Sequence, residues 1–206
     1  MKTKILIASL LINALFIAAF VYSYNRAAGQ IKKSVDSIRA QMDADRASSN
    51  LKYDRLANIE IGLKKVFPLA LEDYQYSAYA AMLYEAEIIS GISWQTLAAL
   101  AYFEDRFRTW RASDSGALGL MQIKPETAKE QFSKLYIKKH YLKFEDFSLF
   151  EPALNAILSA LYLKENYDLT GGNMKTALIL YNAGRIKRPQ ISKDFADSVL
   201  SWAEKL

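Results

Sequence analysis

Cysteine is absent and histidine occurs once, as His140. The chain therefore forms no disulfide and carries no lipid-modified N-terminal cysteine. With one His and no Cys, a zinc site of the usual ligands is not expected, and neither is another metal or cofactor. Only 4 prolines and 8 glycines punctuate its 206 residues. So few breakers, in a chain rich in Ala and Leu, argue against many short strands and turns and for an all-α fold. The net charge of +5 is a weak bias toward anionic polymers or lipids. No aromatic–basic pattern of a nucleic-acid reader is present, so nucleic acid is not an expected partner. There is no internal repeat, and the length suits one domain plus an appendage.

The appendage is at the N-terminus. Residues 5–24 are apolar except for Ser9, Asn13 and Ser23. Roughly 20 helical residues span about 30 Å, the thickness of a bilayer core. Lys2 and Lys4 precede the run. Arg26, Lys32 and Lys33 follow it, and Tyr22 and Tyr24 stand at its far end, where an interfacial belt would place them. A single-pass anchor and a cleaved signal both fit, and the length of the run favours the anchor. Charge on both flanks leaves the orientation open.

Residues 27–67 read as a helical spacer. Ile31, Val35, Ile38 and Met42 form one apolar stripe; Leu56, Ile59, Leu63 and Val66 form another. The polar stretch 43–50 predicts a break between them, and Phe67-Pro68 a stop. A spacer from the membrane and a helix that binds assembly partners are both compatible with this pattern.

Residues 68–206 read as the globular domain. Apolar spacing predicts helices over 71–90, 94–107, 127–136, 152–167, 174–182 and 194–206, with Ser93 as an N-cap and Pro125 at a helix start. Residues 108–118 and 138–147 read as irregular.

Glu104 lies near the end of the apolar run 96–103. As a surface residue it would pair with Arg106 or Arg108. Set against Leu100, Tyr102 and Phe103, it would instead be partly desolvated, with its pKa raised toward that of a proton shuttle. After Glu104-Asp105-Arg106-Phe107 come Ser113 and G-A-L-G-L-M-Q-I-K-P-E-T-A over 116–128, then Tyr181-Asn182-Ala183-Gly184. This set resembles the catalytic domain of the soluble lytic transglycosylases, a lysozyme-like fold, over about residues 88–184. In that family a Glu precedes S-x-x-G-A-x-G-L-M-Q-x-x-P-x-T-A, a later helix carries an Asn, and Y-N-A-G completes the pattern.

The resemblance implies a role for each matching position. Glu104 would be the single catalytic acid/base, and Gln122, Tyr181 and Asn182 would line the cleft. Ser113, Gly116, Ala117 and Met121 would lie in the loop beside the sugar, and Asn155 would be the helix asparagine. Judged by residue type alone, Met121 is core, the glycines permit a tight turn, and Asn182 caps a helix. Asn155 fits structural hydrogen bonding and substrate contact equally. Three positions depart from the pattern: Asp105 stands where Ser is usual, Ser159 where Gly is common, and Arg185 where Pro or a small residue is frequent.

The substrate implied is the peptidoglycan glycan strand, cleaved between N-acetylmuramic acid and N-acetylglucosamine to leave a 1,6-anhydro end. That substrate would place the catalytic domain in the periplasm on an inner-membrane anchor, or on a virion membrane. A hydrolytic lysozyme on the same fold and a non-catalytic wall-binding component of a phage or secretion machine are the alternatives.

Overall fold

The structure is a computed structural model that describes residues 2–136, 143–183 and 189–206. Before residue 32 only the side chains of Arg26 and Gln30 are described, and those of 136 and 189–191 are also outside the description. His140, Gly184 and Arg185 lie outside the described residues. The chain divides into two compact units, Met1–Tyr53 and Asp54–Leu206.

Helix α1 is Lys2–Val66. The break expected over 43–50 does not occur. That stretch is polar but holds neither glycine nor proline, and Ser, Asp and Asn each cost helix only some tenths of a kcal/mol. Gln41 Nε2 donates to Asp45 Oδ1 at 3.0 Å, one turn on. The apolar run 5–24 falls in this helix, where side chains are not described. Among the described residues, no helix is long and apolar enough to cross a membrane. Val35, Ile38 and Met42 are exposed.

The second unit takes in the last turns of α1, which the sequence pattern assigns to the spacer. Ile59 and Leu63 are fully buried there, and Phe67 nearly so. Gly62 makes this packing possible: a Cβ at that position would stand 2.6 Å from the Trp94 ring. After the Pro68 turn come α2 (Asp73–Ser90), α3 (Trp94–Asp105), α4 (Pro125–Tyr136), a short 3-10 turn at Phe144–Asp146, α5 (Pro152–Leu169), α6 (Met174–Ala183) and α7 (Pro189–Ala203). The all-α expectation holds for the described residues. The only extended pairing among them is a set of isolated bridges, Ala112 to Leu118 and Leu118 to Ile123.

Local signals account for the ends. Gly91 closes α2 at φ 74°, a conformation that costs glycine little. Ser93 accepts from the Thr96 amide to start α3. Glu151 accepts from the amides of Ala153 and Leu154, and Pro152 occupies the first turn of α5. Helix α3 is apolar nearly all round; Leu97, Ala98, Ala99, Leu100 and Ala101 are fully buried. A helix of that kind belongs at the centre of a domain. It packs against α2 and α7, and α5 packs against α2, α4 and α6. The buried helix thus carries its C-terminal residues out from the core to one surface, and there the site is built.

Candidate active site

Helix α3 ends two residues earlier than periodicity suggests. Arg106 (φ 51°) and Phe107 (φ 62°) are both left-handed. Each costs a non-glycine residue about 1 kcal/mol or more. The surroundings hold them in place. The Phe107 ring is buried edge-on against Phe67 and Tyr79, and the Tyr79 hydroxyl donates to the Phe107 carbonyl at 2.9 Å. The chain turns sharply just past Glu104 and Asp105 and runs back as a loop. Among the described residues the third non-glycine residue at positive φ is Gln122, in the same region (φ 50°).

A cleft of about 1230 Å³ opens at this turn. Glu104, Ser113, Ala117, Gln122, Tyr181 and Asn182 of the sequence-predicted set line it. Tyr102, Phe103 and Trp202 form an aromatic end, with Tyr102 and Trp202 stacked at 5.1 Å. Arg106, Arg108, Arg111 and Lys124 add a basic side; Thr127, Glu130 and Tyr162 also border the space.

Glu104 is half-buried. Desolvation pushes its carboxyl up to about 8; a hydrogen bond from Asn182 opposes the rise and the charge of Asp105 adds to it. Asn182 is oriented from α7: the buried Ser192 hydroxyl donates to its Oδ1 at 3.0 Å, which leaves its amide N–H groups for Glu104. Tyr181 is buried beside them and donates to the Met121 carbonyl at 2.8 Å. Burial, then the charge of Glu104, raises the Tyr181 hydroxyl well above its ordinary value, so it stays protonated and keeps donating.

Asp105, next in sequence, is treated in the opposite way. It is 2% exposed, yet its Oδ1 takes Arg108 at 2.7 Å and Arg111 at 3.2 Å. Its Oδ2 is buried without a partner. Arg108 is also fixed by its Nε, which donates to the Asp105 carbonyl at 3.1 Å.

The facing wall is the loop 111–123, pinned from below by Asn155. This side chain is fully buried. Its Oδ1 accepts from the Met121 amide at 2.9 Å, and its Nδ2 donates to the carbonyls of Leu118 (2.9 Å) and Leu149 (2.8 Å). Gly119 (φ 75°) sits directly over it; a Cβ there would collide with the Leu149 carbonyl and the Asn155 amide. Gln122 closes the loop by donating to the carbonyls of Gly119 (2.8 Å) and Arg111 (3.2 Å).

These positions correct part of the expected contact set. Met121 is fully buried, so its side chain is core and only its backbone serves the wall. Asn155 is likewise beneath the wall, with its polar atoms committed to backbone groups. Gly116 (φ 81°) is exposed and makes the turn from Ser113, whose carbonyl accepts its amide at 2.9 Å; it does not border the cleft. Sequence reasoning missed Trp202, Tyr162, Ser192, Arg108 and Arg111. Arg108 and Arg111 flank the exposed Trp110 in a loop with no periodicity, and the helix residues Trp202 and Tyr162 carry no signal that separates cleft from core.

The fold is similar to that of known enzymes. The chain is similar to the lytic transglycosylase Slt of Pseudomonas aeruginosa, solved as an inactive glutamate-to-glutamine mutant. Identity is 26% and the TM-score 0.51, over 60% of this chain and 23% of that one. It also resembles the 70 kDa soluble lytic transglycosylase of Escherichia coli, at 24% identity and TM-score 0.45, over 62% of this chain and 20% of that one. A 70-kDa soluble lytic transglycosylase in complex with bulgecin A matches at 22% and 0.46, over 65% of this chain and 22% of that one. The chain spans less than a quarter of the length of each. The family model described as the transglycosylase SLT domain matches residues 82–198, more than half of the chain and all of α3 to α6, and the chain belongs to that family.

Proposed function

We propose that this chain is a peptidoglycan lytic transglycosylase that cleaves the β-1,4 bond between N-acetylmuramic acid and N-acetylglucosamine and leaves a 1,6-anhydro end. The observation that carries the reading is a carboxyl pushed up to about 8 on the wall of a cleft of about 1230 Å³. At neutral pH such a group is mostly protonated and can donate to the bridging oxygen as the bond breaks. Two-carboxylate glycosidases then need a second acid to attack or to activate water. The other carboxylates at this cleft are engaged: Asp105 with Arg108 and Arg111, and Glu130 with Lys134 at 2.8 Å. An internal nucleophile fits better. The muramyl 6-hydroxyl attacks C1 of the oxocarbenium-like centre, the Glu104 carboxylate takes the hydroxyl proton, and no water is consumed. Holding the attacking hydroxyl on the substrate itself gains from proximity.

The test is digestion of purified sacculi by the full chain and its Glu104→Gln variant, with mass spectrometry of the products. Anhydro ends released by the parent and lost in the variant support the reading. Products one water heavier mean a hydrolase, and unimpaired release by the variant removes Glu104 from the chemistry.

We also propose that residues 5–24 anchor the chain in the inner membrane with the catalytic unit in the periplasm, on the strength of the apolar run, its flanking charges and the location of the substrate. The exposed stripe Val35, Ile38 and Met42 fits a spacer or a contact with assembly partners for local wall opening. Membrane fractionation with and without residues 2–26 tests the anchor; recovery of the full chain in the soluble fraction would defeat it.

A further inference from the structure

Arg108 and Arg111 are not among the groups that set the proton affinity of Glu104. Their side of the cleft is nevertheless built. One buried carboxylate oxygen, Asp105 Oδ1, holds two guanidiniums. A single negative charge against two positive ones leaves one cation in excess, and Arg106 adds another at the same rim. Among the described residues no carboxylate pairs with Arg106. Each guanidinium is fixed at one edge by Asp105, while the side chains remain 44% and 53% exposed along the cleft. Each guanidinium keeps N–H groups that Asp105 does not take, and a guanidinium binds a carboxylate through paired hydrogen bonds. The sugar backbone is neutral. Carboxylates occur on muramyl-containing glycans at the lactyl group when the strand is denuded, and along the peptide stem when it is not.

We propose that Arg108 and Arg111, braced by Asp105, form a carboxylate-binding subsite that selects muramyl-containing strands over neutral amino-sugar polymers. The inference rests on the transglycosylase reading and adds the feature of the substrate that is recognised. Asp105 is a positioning residue here, since it touches the arginines and not the sugar.

Binding to the Glu104→Gln protein separates the two ideas. The probes are denuded muramyl glycan oligomers with free lactyl carboxylates, peptide-bearing oligomers, the same oligomers with stem carboxyls amidated, and chitin oligomers of equal length. A preference of about tenfold for a carboxylate-bearing oligomer over chitin, shrinking as salt rises, is expected from a charge-assisted pair. Loss of affinity on amidation assigns the peptide stem as the source; tightest binding of the denuded strand assigns the lactyl group. Because removing both arginines would leave Asp105 buried and unpaired, the variant is Arg108→Gln, Arg111→Gln with Asp105→Ser. It should lose the preference and keep its affinity for chitin. Equal binding of all glycans, or a preference that survives in this variant, overturns the subsite alone. Failure of every glycan to bind overturns the transglycosylase reading beneath it.

Discussion

Two regions meet at the end of α3, and they treat adjacent carboxyls in opposite ways. On the side facing Tyr181, Asn182 and Trp202, Glu104 is desolvated and meets no cation among the described residues, so it holds its proton to about pH 8. On the side facing the 106–111 loop, Asp105 is buried more deeply but is supplied with two guanidiniums. Burial alone does not make an acid catalyst. The partner offered to the buried group decides whether it stores a proton or anchors a charge.

The largest effect expected from breaking this contrast is loss of catalysis. Glu104→Gln removes the proton and should lower the rate of release from sacculi by about 10²–10⁴-fold, the usual contribution of a general acid. Next come changes to the wall that frames the acid. Gly119→Ala introduces both a strained φ and a collision with Asn155, and should destabilise the folded state by roughly 3 kcal/mol or more, read as a drop in Tm. Asn155→Ala orphans a buried amide and two carbonyls, for about 2–4 kcal/mol.

A smaller effect concerns pH and stability. A carboxyl whose folded pKa is raised favours the folded state below its unfolded pKa and progressively disfavours it as pH climbs toward 8. Stability of the parent relative to Glu104→Gln should therefore fall between about pH 4.5 and 8, by about 1–3 kcal/mol at neutral pH. Denaturation curves across that range measure it, and a constant difference would count against the shift. The smallest and most discriminating effects are a pair of opposite sign. Asp105→Ser removes a negative neighbour and should move the alkaline limb of kcat/KM to lower pH. Asn182→Ala removes a hydrogen bond that favours the carboxylate and should move it to higher pH. Shifts in the same direction would mean the two regions are not distinguished as described.

Much of this was legible in the chain itself. Scarce breakers and three/four spacing point to the helices, and the run 116–128 beside Glu104 to the cleft. What stayed hidden depends on tertiary contacts. The left-handed pair Arg106–Phe107 exists because Phe107 is held by Phe67 and Tyr79, residues distant in sequence. The continuity of α1 through 43–50 reflects how little polar residues weaken a helix. Asn155 and Met121 belong to a cleft-like motif; residue type already points Met121 to the core, whereas only packing reveals that Asn155 supports the wall from behind. Arg108 and Arg111 gain their position from Asp105, which in sequence is merely a second acid.

The most direct measurement is titration of Glu104 itself, by carbon NMR or infrared difference between the parent and Glu104→Gln proteins. A single carboxyl transition near pH 8, absent from the variant, is expected. A transition near the ordinary value of 4.5 would show that the cleft does not hold the proton, and the account of Glu104 as the acid at neutral pH would fail with it.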